Sequence, residues 1–280
     1  MESSMLARKS PTPHCRQHVA LIPQSPKHDR MNRAYWDELA EDYDEQIFSV
    51  LRSDDERLIR TCIHRHADQT ATAADLGCGP GQITPLLAEH FGWVHACDLS
   101  NTLLGQARHA CSDYENVQFH RLDLTATEQP DFQPADFVVC VNVILSANLE
   151  ERECLWERVT SLVAEGGTLL LVLPSLESAL YTNFRRLDGH VRSGLDGEHA
   201  ISRSLAVDGN VSQLEQGVRG IDGIKTKHYL REEIMVQLQD RSLQVEAVSK
   251  LTYDWSVEFD DPPAWLGAPH PWNWLVIAKR

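Results

Sequence analysis

The chain has 280 residues, enough to bury a sizeable core in one domain with additions and too few for two large domains. Its 26 Lys and Arg stand against 41 Asp and Glu, a formal net charge of −15. That balance argues against gripping nucleic acid or an anionic membrane through a basic field, so the expected partners are small molecules, or neutral and cationic species.

Residues 1–30 are foreign to the rest. They carry Arg8, Lys9, Arg16, Lys27 and Arg30 against Glu2 and Asp29, together with Pro11, Pro13, Pro23 and Pro26, and show no periodicity. They read as a disordered tail ahead of a domain covering 31–280. They lack the apolar core of a secretory signal, and the prolines oppose the amphipathic helix of an organelle presequence. No stretch approaches the roughly 20 apolar residues of a membrane span. The seven cysteines are scattered, with no Cys-x-x-Cys pair, which points to a reducing cytoplasm. His14-Cys15 with His18, and Cys62 with His64 and His66, fall short of the four ligands of structural zinc, so no metal is expected.

In chain order, 33–45 (RAYWDELAEDYDE) sets Trp36, Leu39, Ala40 and Tyr43 at helical spacing. Ser53-Asp-Asp-Glu56 has the form of a capping box, predicting a second helix over 53–66. From residue 71 strands and helices alternate: strand 71–76, helix 81–91, strand 93–98, helix 101–112, strands 117–122 and 135–141, helix 148–164 and strand 167–173. Apolar strands alternating with helices predict right-handed crossovers and a doubly wound α/β fold whose ligand sits at the carboxyl ends of the strands. A helix over 230–241 and strands over 243–251 and 274–278 close the chain. Between strand five and that helix lies an insertion, 175–227, with a helix-like piece at 177–187 and glycine turns at Gly189, Gly194, Gly197, Gly209, Gly217, Gly220 and Gly223. A stretch this long over a strand end reads as a lid, with a packing decoration as the other reading.

The loop behind the first strand, DLGCGPGQ (Asp75–Gln82), has glycines at every second position, which lets a ligand approach backbone. No lysine follows, so it is not a P-loop, and Gln82 stands where a dinucleotide fingerprint has its third glycine. The pattern Asp75-x-Gly77-x-Gly79-x-Gly81 resembles motif I of the class I S-adenosylmethionine-dependent methyltransferases. From about Tyr35 onward, YWDELAEDYD (35–44), HACDLS (95–100), HRLDL (120–124), DFVVCVNVIL (136–145), AEGGTLLLVLP (164–174) and KHYLREEI (227–234) fall in that family's order.

The resemblance implies a mostly parallel, seven-stranded Rossmann-like sheet with N-terminal helices, and S-adenosylmethionine as cofactor. It places Gly77, Cys78, Gly79 and Gly81 under the methionine and ribose, with Asp75 at the loop's root. Asp98, beside Leu99, ends strand two where a carboxylate can accept both ribose hydroxyls. Asp123 and Leu124 fall beside the adenine, Asn142 and Val143 beside the methionine and the transfer channel, and Tyr35 and Tyr43 over the cofactor. The competing readings are helix capping for Asp123, a core role for Tyr43 and holding the loop for Asp75.

Methyl transfer is an in-line displacement that positioning alone can accelerate. Where the acceptor needs a base, His228, Tyr229 and Tyr181 are the candidates, with His190 and His199 behind them, and no spacing singles one out. Trp255, Trp265, Trp272 and Trp274 read either as an aromatic acceptor pocket or, preferred, as cover for the sheet edge. The function expected is methyl transfer to a small molecule. A protein methyltransferase, a cofactor-binding protein without turnover and, more remotely, a dinucleotide enzyme are the alternatives. Neither the acceptor nor the oligomeric state carries a signal.

Overall fold

The computed structural model describes residues 31–43, 49–54, 56–204, 211–221 and 224–280. The expected tail 1–30 with its His14, Cys15, His18 cluster, the end of the first predicted helix, and Gly209 and Gly223 lie outside the described residues.

Helix α1 (Arg33–Leu39) starts where the Asn32 side chain accepts the Tyr35 N–H at 3.0 Å, and passes into a 3-10 turn, Ala40–Asp42. Helix α2 (Leu58–Arg65) begins five residues later than expected. Its N-cap residue, Arg57, makes no side-chain cap bond, and the two carboxylate oxygens of Asp54 accept the Leu58 and Ile59 N–H groups at 2.7 and 2.8 Å.

The alternation then runs β1 (Asp68–Leu76), α3 (Thr84–His90), β2 (Phe91–Asp98), α4 (Asn101–Ala110), β3 (Val117–Arg121), β4 (Ala135–Val141), α5 (Leu149–Ser161) and β5 (Val163–Pro174). The insertion holds α6 (Leu176–Arg192), α7 (Gly197–Ser204), α8 (Val211–Glu215) and a hairpin of β6 (Val218–Ile221) and β7 (Ile224–Lys227). Helix α9 (Arg231–Gln239) and strands β8 (Gln244–Thr252) and β9 (Trp272–Lys279) follow.

Seven strands form one sheet in the order β3-β2-β1-β4-β5-β9-β8. The pairs from β3 to β5 are parallel, and β9 runs antiparallel to both β5 and β8. The expected doubly wound, mostly parallel sheet is therefore what forms. Because β1 has β2 on one side and β4 on the other, strand order reverses between β1 and β4, and a crevice opens above their carboxyl ends.

Both faces of the sheet are covered, as its uninterrupted apolar strands require. Leu169 and Leu171 of β5 pack on the side of Trp156 in α5 and Ile234 in α9, while Leu170 and Val172 pack on the side of Ile59, Leu87 and Phe91. Each such fully buried side chain contributes about 1.5–3 kcal/mol. Helix α4 starts at Ser100, whose side chain accepts the Leu103 N–H, and α5 at Asn148, whose side chain accepts the Glu151 N–H.

The insertion is richer in helix than its glycines suggest: Gly189 lies inside the 17-residue α6, against the Trp265 ring, and Gly220 lies in β6. Tyr229 is stitched beside β5, its N–H donating to Pro174 O and its carbonyl accepting the Leu176 N–H, each at 2.9 Å. Trp255, Trp272 and Trp274 are buried, and Tyr181 of α6 packs on Trp255 and Trp272. Among the described residues no helix is long and apolar enough to cross a membrane, and no group of three or more His, Cys, Asp or Glu is arranged to hold a metal.

Candidate functional site

The three loop glycines have positive φ (73°, 54° and 84° at Gly77, Gly79 and Gly81), and each serves a different close approach. The loop is fixed at its start by the Gly77 and Cys78 N–H groups, which donate to Cys97 O at 2.8 and 2.9 Å. A side chain on Gly77 would run into the Val143 Cγ2 methyl across the β1–β4 crevice. One on Gly79 would come within 3.1 Å of the Tyr43 hydroxyl, so the loop and that ring face each other across a narrow gap. At Gly81 the neighbour is the backbone of α4, with Ala107 Cα at 2.9 Å. Gly81 does not line the cavity, which corrects its expected cofactor role: it lets α4 pack on the loop.

A cavity of about 530 Å³ opens over these strand ends. Asp75, Gly77, Cys78, Gly79, Asp98 and Leu99 line its loop side, and Asp123, Leu124, Asn142 and Val143 line its β3 and β4 sides. Asp98 is 9 % exposed and accepts the Gly79 N–H at 2.9 Å on Oδ2 and the Ser100 N–H at 2.8 Å on Oδ1. Burial pushes its carboxyl up, opposed by the backbone N–H groups it accepts. The Leu99 backbone N–H also bonds to this carboxylate, which has about four acceptor sites in all.

Asp75 is buried, accepts the Thr84 hydroxyl at 2.7 Å, and is pushed up to about 7 by burial. Asp123 is exposed at the rim, its Oδ1 accepting both the N–H and the hydroxyl of Thr125, so it shapes its own turn while facing the cavity. Asn142 takes the left-handed backbone conformation, with φ of 53°, and its buried Oδ1 has no hydrogen-bond partner.

The N-terminal segment contributes Met31, Trp36 and Tyr43. Tyr35, expected to close over the cofactor, instead packs on Leu39 and Ile224 and does not line the cavity; one step along α1 puts Trp36 there. Gln82, which departs from the dinucleotide pattern, is a cavity wall and accepts the Ser49 hydroxyl at 2.8 Å.

None of the three candidate bases reaches the cavity. His228 is fully buried and held near 3 by burial and then by the Arg219 charge, which keeps it neutral. Tyr229 is buried against Trp156, its hydroxyl donating to Ile144 O at 2.8 Å, and Tyr181 donates to Pro269 O at 3.0 Å. These side chains fasten the insertion to the sheet. His190, His199 and the four tryptophans of the C-terminal stretch also stand off the cavity. What does line its far end was missed: Ser146, Glu151, Lys225 and Thr226. The signal available was Asn148, a cap directly behind the fourth strand, which sets Glu151 in the first turn of α5 at the ligand-bearing edge.

Comparison with known proteins shows what this fold resembles. Residues 73–167, from β1 into β5, match the model of a family described as a methyltransferase domain. Over this segment the chain is similar to that family. The chain is similar in fold to the 1,6-didemethyltoxoflavin-N1-methyltransferase of Burkholderia thailandensis, solved with 1,6-didemethyltoxoflavin and S-adenosylhomocysteine (11% identity, TM-score 0.58, 89% of this chain and 86% of that one). It is also similar to the magnesium protoporphyrin IX methyltransferase of Synechocystis, solved with S-adenosylmethionine (13% identity, TM-score 0.55, 89% and 94%). A third likeness is the N-methyltransferase NodS of Bradyrhizobium japonicum, solved with S-adenosylhomocysteine (12% identity, TM-score 0.53, 88% and 98%). No curated protein matches the chain in sequence. The segment similar to that family carries the glycine loop, and the fold that the resemblance implied is borne out.

Proposed function

We propose that the chain transfers a methyl group from S-adenosylmethionine to a small-molecule acceptor. The observation that carries this reading is the cradle itself: Gly79 backbone under Tyr43, braced by Asp98, at the switch point of a methyltransferase fold. The residues fit the cofactor. Asp98, on the cavity wall at the end of β2, would take the ribose diol; Asp123 and Leu124 would flank the adenine. Asn142 Oδ1, buried and unpartnered, suits the donor-rich ammonium of the methionine end, with Gly77 and Val143 beside it.

When bound, the cofactor supplies an electrophilic methyl on a sulfonium. The chain's task is to orient that methyl and the acceptor in line and to exclude water, which can lower the barrier by roughly 7–11 kcal/mol without acid or base. Part of the insertion walls the cavity through Gln213, Gln216, Val218 and Thr226, and this supports a small acceptor held inside over a protein lying on an open groove. We read these walls as the lid expected from the sequence.

The test is incubation of the full chain with methyl-labelled S-adenosylmethionine and a fractionated cell extract. Label in the small-molecule fraction is expected; label in the protein fraction would transfer the reading to a protein methyltransferase, and bound cofactor without label in either would remove catalysis.

A further inference from the structure

The far end of the cavity joins two segments into one wall. Ser146, in the loop after β4, and Thr226, in β7, form an antiparallel bridge, and Leu145 O accepts the Lys227 N–H at 2.9 Å. On that wall the Ser146 hydroxyl donates to Glu151 Oε2 at 2.7 Å, while Asn148 Oδ1 accepts the Glu151 N–H at 2.9 Å, which holds the carboxylate on the cavity side of α5. Thr226 is 4 % exposed and lines the cavity, yet its hydroxyl has no hydrogen-bond partner. An unpaired buried polar group is costly, and at a cavity wall its natural explanation is a ligand.

The chemistry of the pair narrows that ligand. An ionised carboxylate only accepts hydrogen bonds, and a hydroxyl can accept as well as donate, so a ligand with several N–H groups satisfies both. Hydrogen bonds from a cation to a carboxylate are also the stronger kind. Lys225, the one basic residue lining the cavity among the described residues, is solvent-exposed, whereas four carboxylates line it: Asp75, Asp98, Asp123 and Glu151.

Resting on the methyl-transfer reading, we infer that the acceptor is a small primary amine. It arrives as its ammonium ion and donates N–H to Glu151 and Thr226. The ammonium loses one proton to solvent while hydrogen-bonded to Glu151, which frees the nitrogen lone pair. That pair forms the new C–N bond to the methyl carbon as the C–S bond breaks and its electrons return to sulfur. The product leaves as a secondary ammonium. Leu145 and Leu155, also on this side, offer an apolar seat for the rest of the acceptor.

Calorimetric titration of the full chain, saturated with S-adenosylhomocysteine, with phenethylamine and with the matched phenethyl alcohol tests the assignment. The amine should bind and the alcohol should not. Glu151→Gln should weaken amine binding at least tenfold and Thr226→Val several-fold, both with unchanged affinity for S-adenosylhomocysteine. With S-adenosylmethionine, mass spectrometry should find the N-methylated amine. Alcohol binding equal to amine binding, full amine affinity in Glu151→Gln, or neither probe binding to protein that holds S-adenosylhomocysteine would overturn the inference. Failure to hold S-adenosylhomocysteine would instead strike the methyl-transfer reading beneath it.

Discussion

The Gly79 N–H donates to Asp98 Oδ2 at 2.9 Å, so the loop after β1 and the acid that ends β2 form a single unit of the site. A ligand read by that acid is thereby also placed over the glycine backbone, and Ser100, itself the cap of α4, holds the other carboxylate oxygen.

Asp98→Ala should weaken S-adenosylhomocysteine binding by about 1–3 kcal/mol, the cost of leaving ligand hydroxyls unpaired, with further loosening of the loop. Calorimetry on the variant is the check; unchanged affinity would remove Asp98 from the ribose.

Gly81→Ala and Gly79→Ala should separate packing from binding. Both force a side chain into a left-handed conformation, at about 1–2 kcal/mol. At Gly81 the new methyl also meets the Ala107 backbone, so thermal stability should fall further while the folded protein keeps its cofactor affinity. At Gly79 it narrows the gap under Tyr43, so affinity should fall more than stability.

Asp75 gives stability a pH dependence of definite sign. Its folded pKa of about 7 lies above the ordinary carboxylate value near 4, so the folded chain keeps a proton that the unfolded chain loses across that window. The stabilisation is complete below about pH 4 and is lost as the pH rises through 7. Asp75→Asn, which keeps an acceptor for Thr84, should therefore raise the melting temperature more at pH 8 than at pH 5.

Tyr229→Phe should cost about 1–3 kcal/mol of stability, because Ile144 O loses a buried donor. Turnover per folded molecule should stay, since the hydroxyl does not face the cavity. A lost kcat with intact folding would return Tyr229 to the chemistry.

The sheet was legible because its strands are buried on both faces and so read as apolar runs between helices, from Ala73–Leu76 to Leu169–Leu173. The expected cofactor residues came from the resemblance to the class I enzymes, and Gly77, Gly79, Asp98 and Asn142 do lie at the cavity wall. Tyr35 and Trp36 show where that ended. Both are apolar, adjacent and on one helix, and only packing on Ile224 decides which ring turns inward to the core and which faces the cavity. The proposed acceptor side was not legible, because Glu151 and Thr226 come together through the bridge of Ser146 to Thr226, a pairing across 80 residues that no local periodicity records. His228 and Tyr229 drew notice as chemically capable side chains, but their burial gives them packing and anchoring roles.

The most direct test of the account is calorimetric titration of the full chain with S-adenosylhomocysteine, with NAD as control. Micromolar binding of the first and none of the second is the predicted result. A folded chain that ignores S-adenosylhomocysteine, or one that binds NAD instead, would contradict the reading of the cradle formed by Gly79, Tyr43 and Asp98.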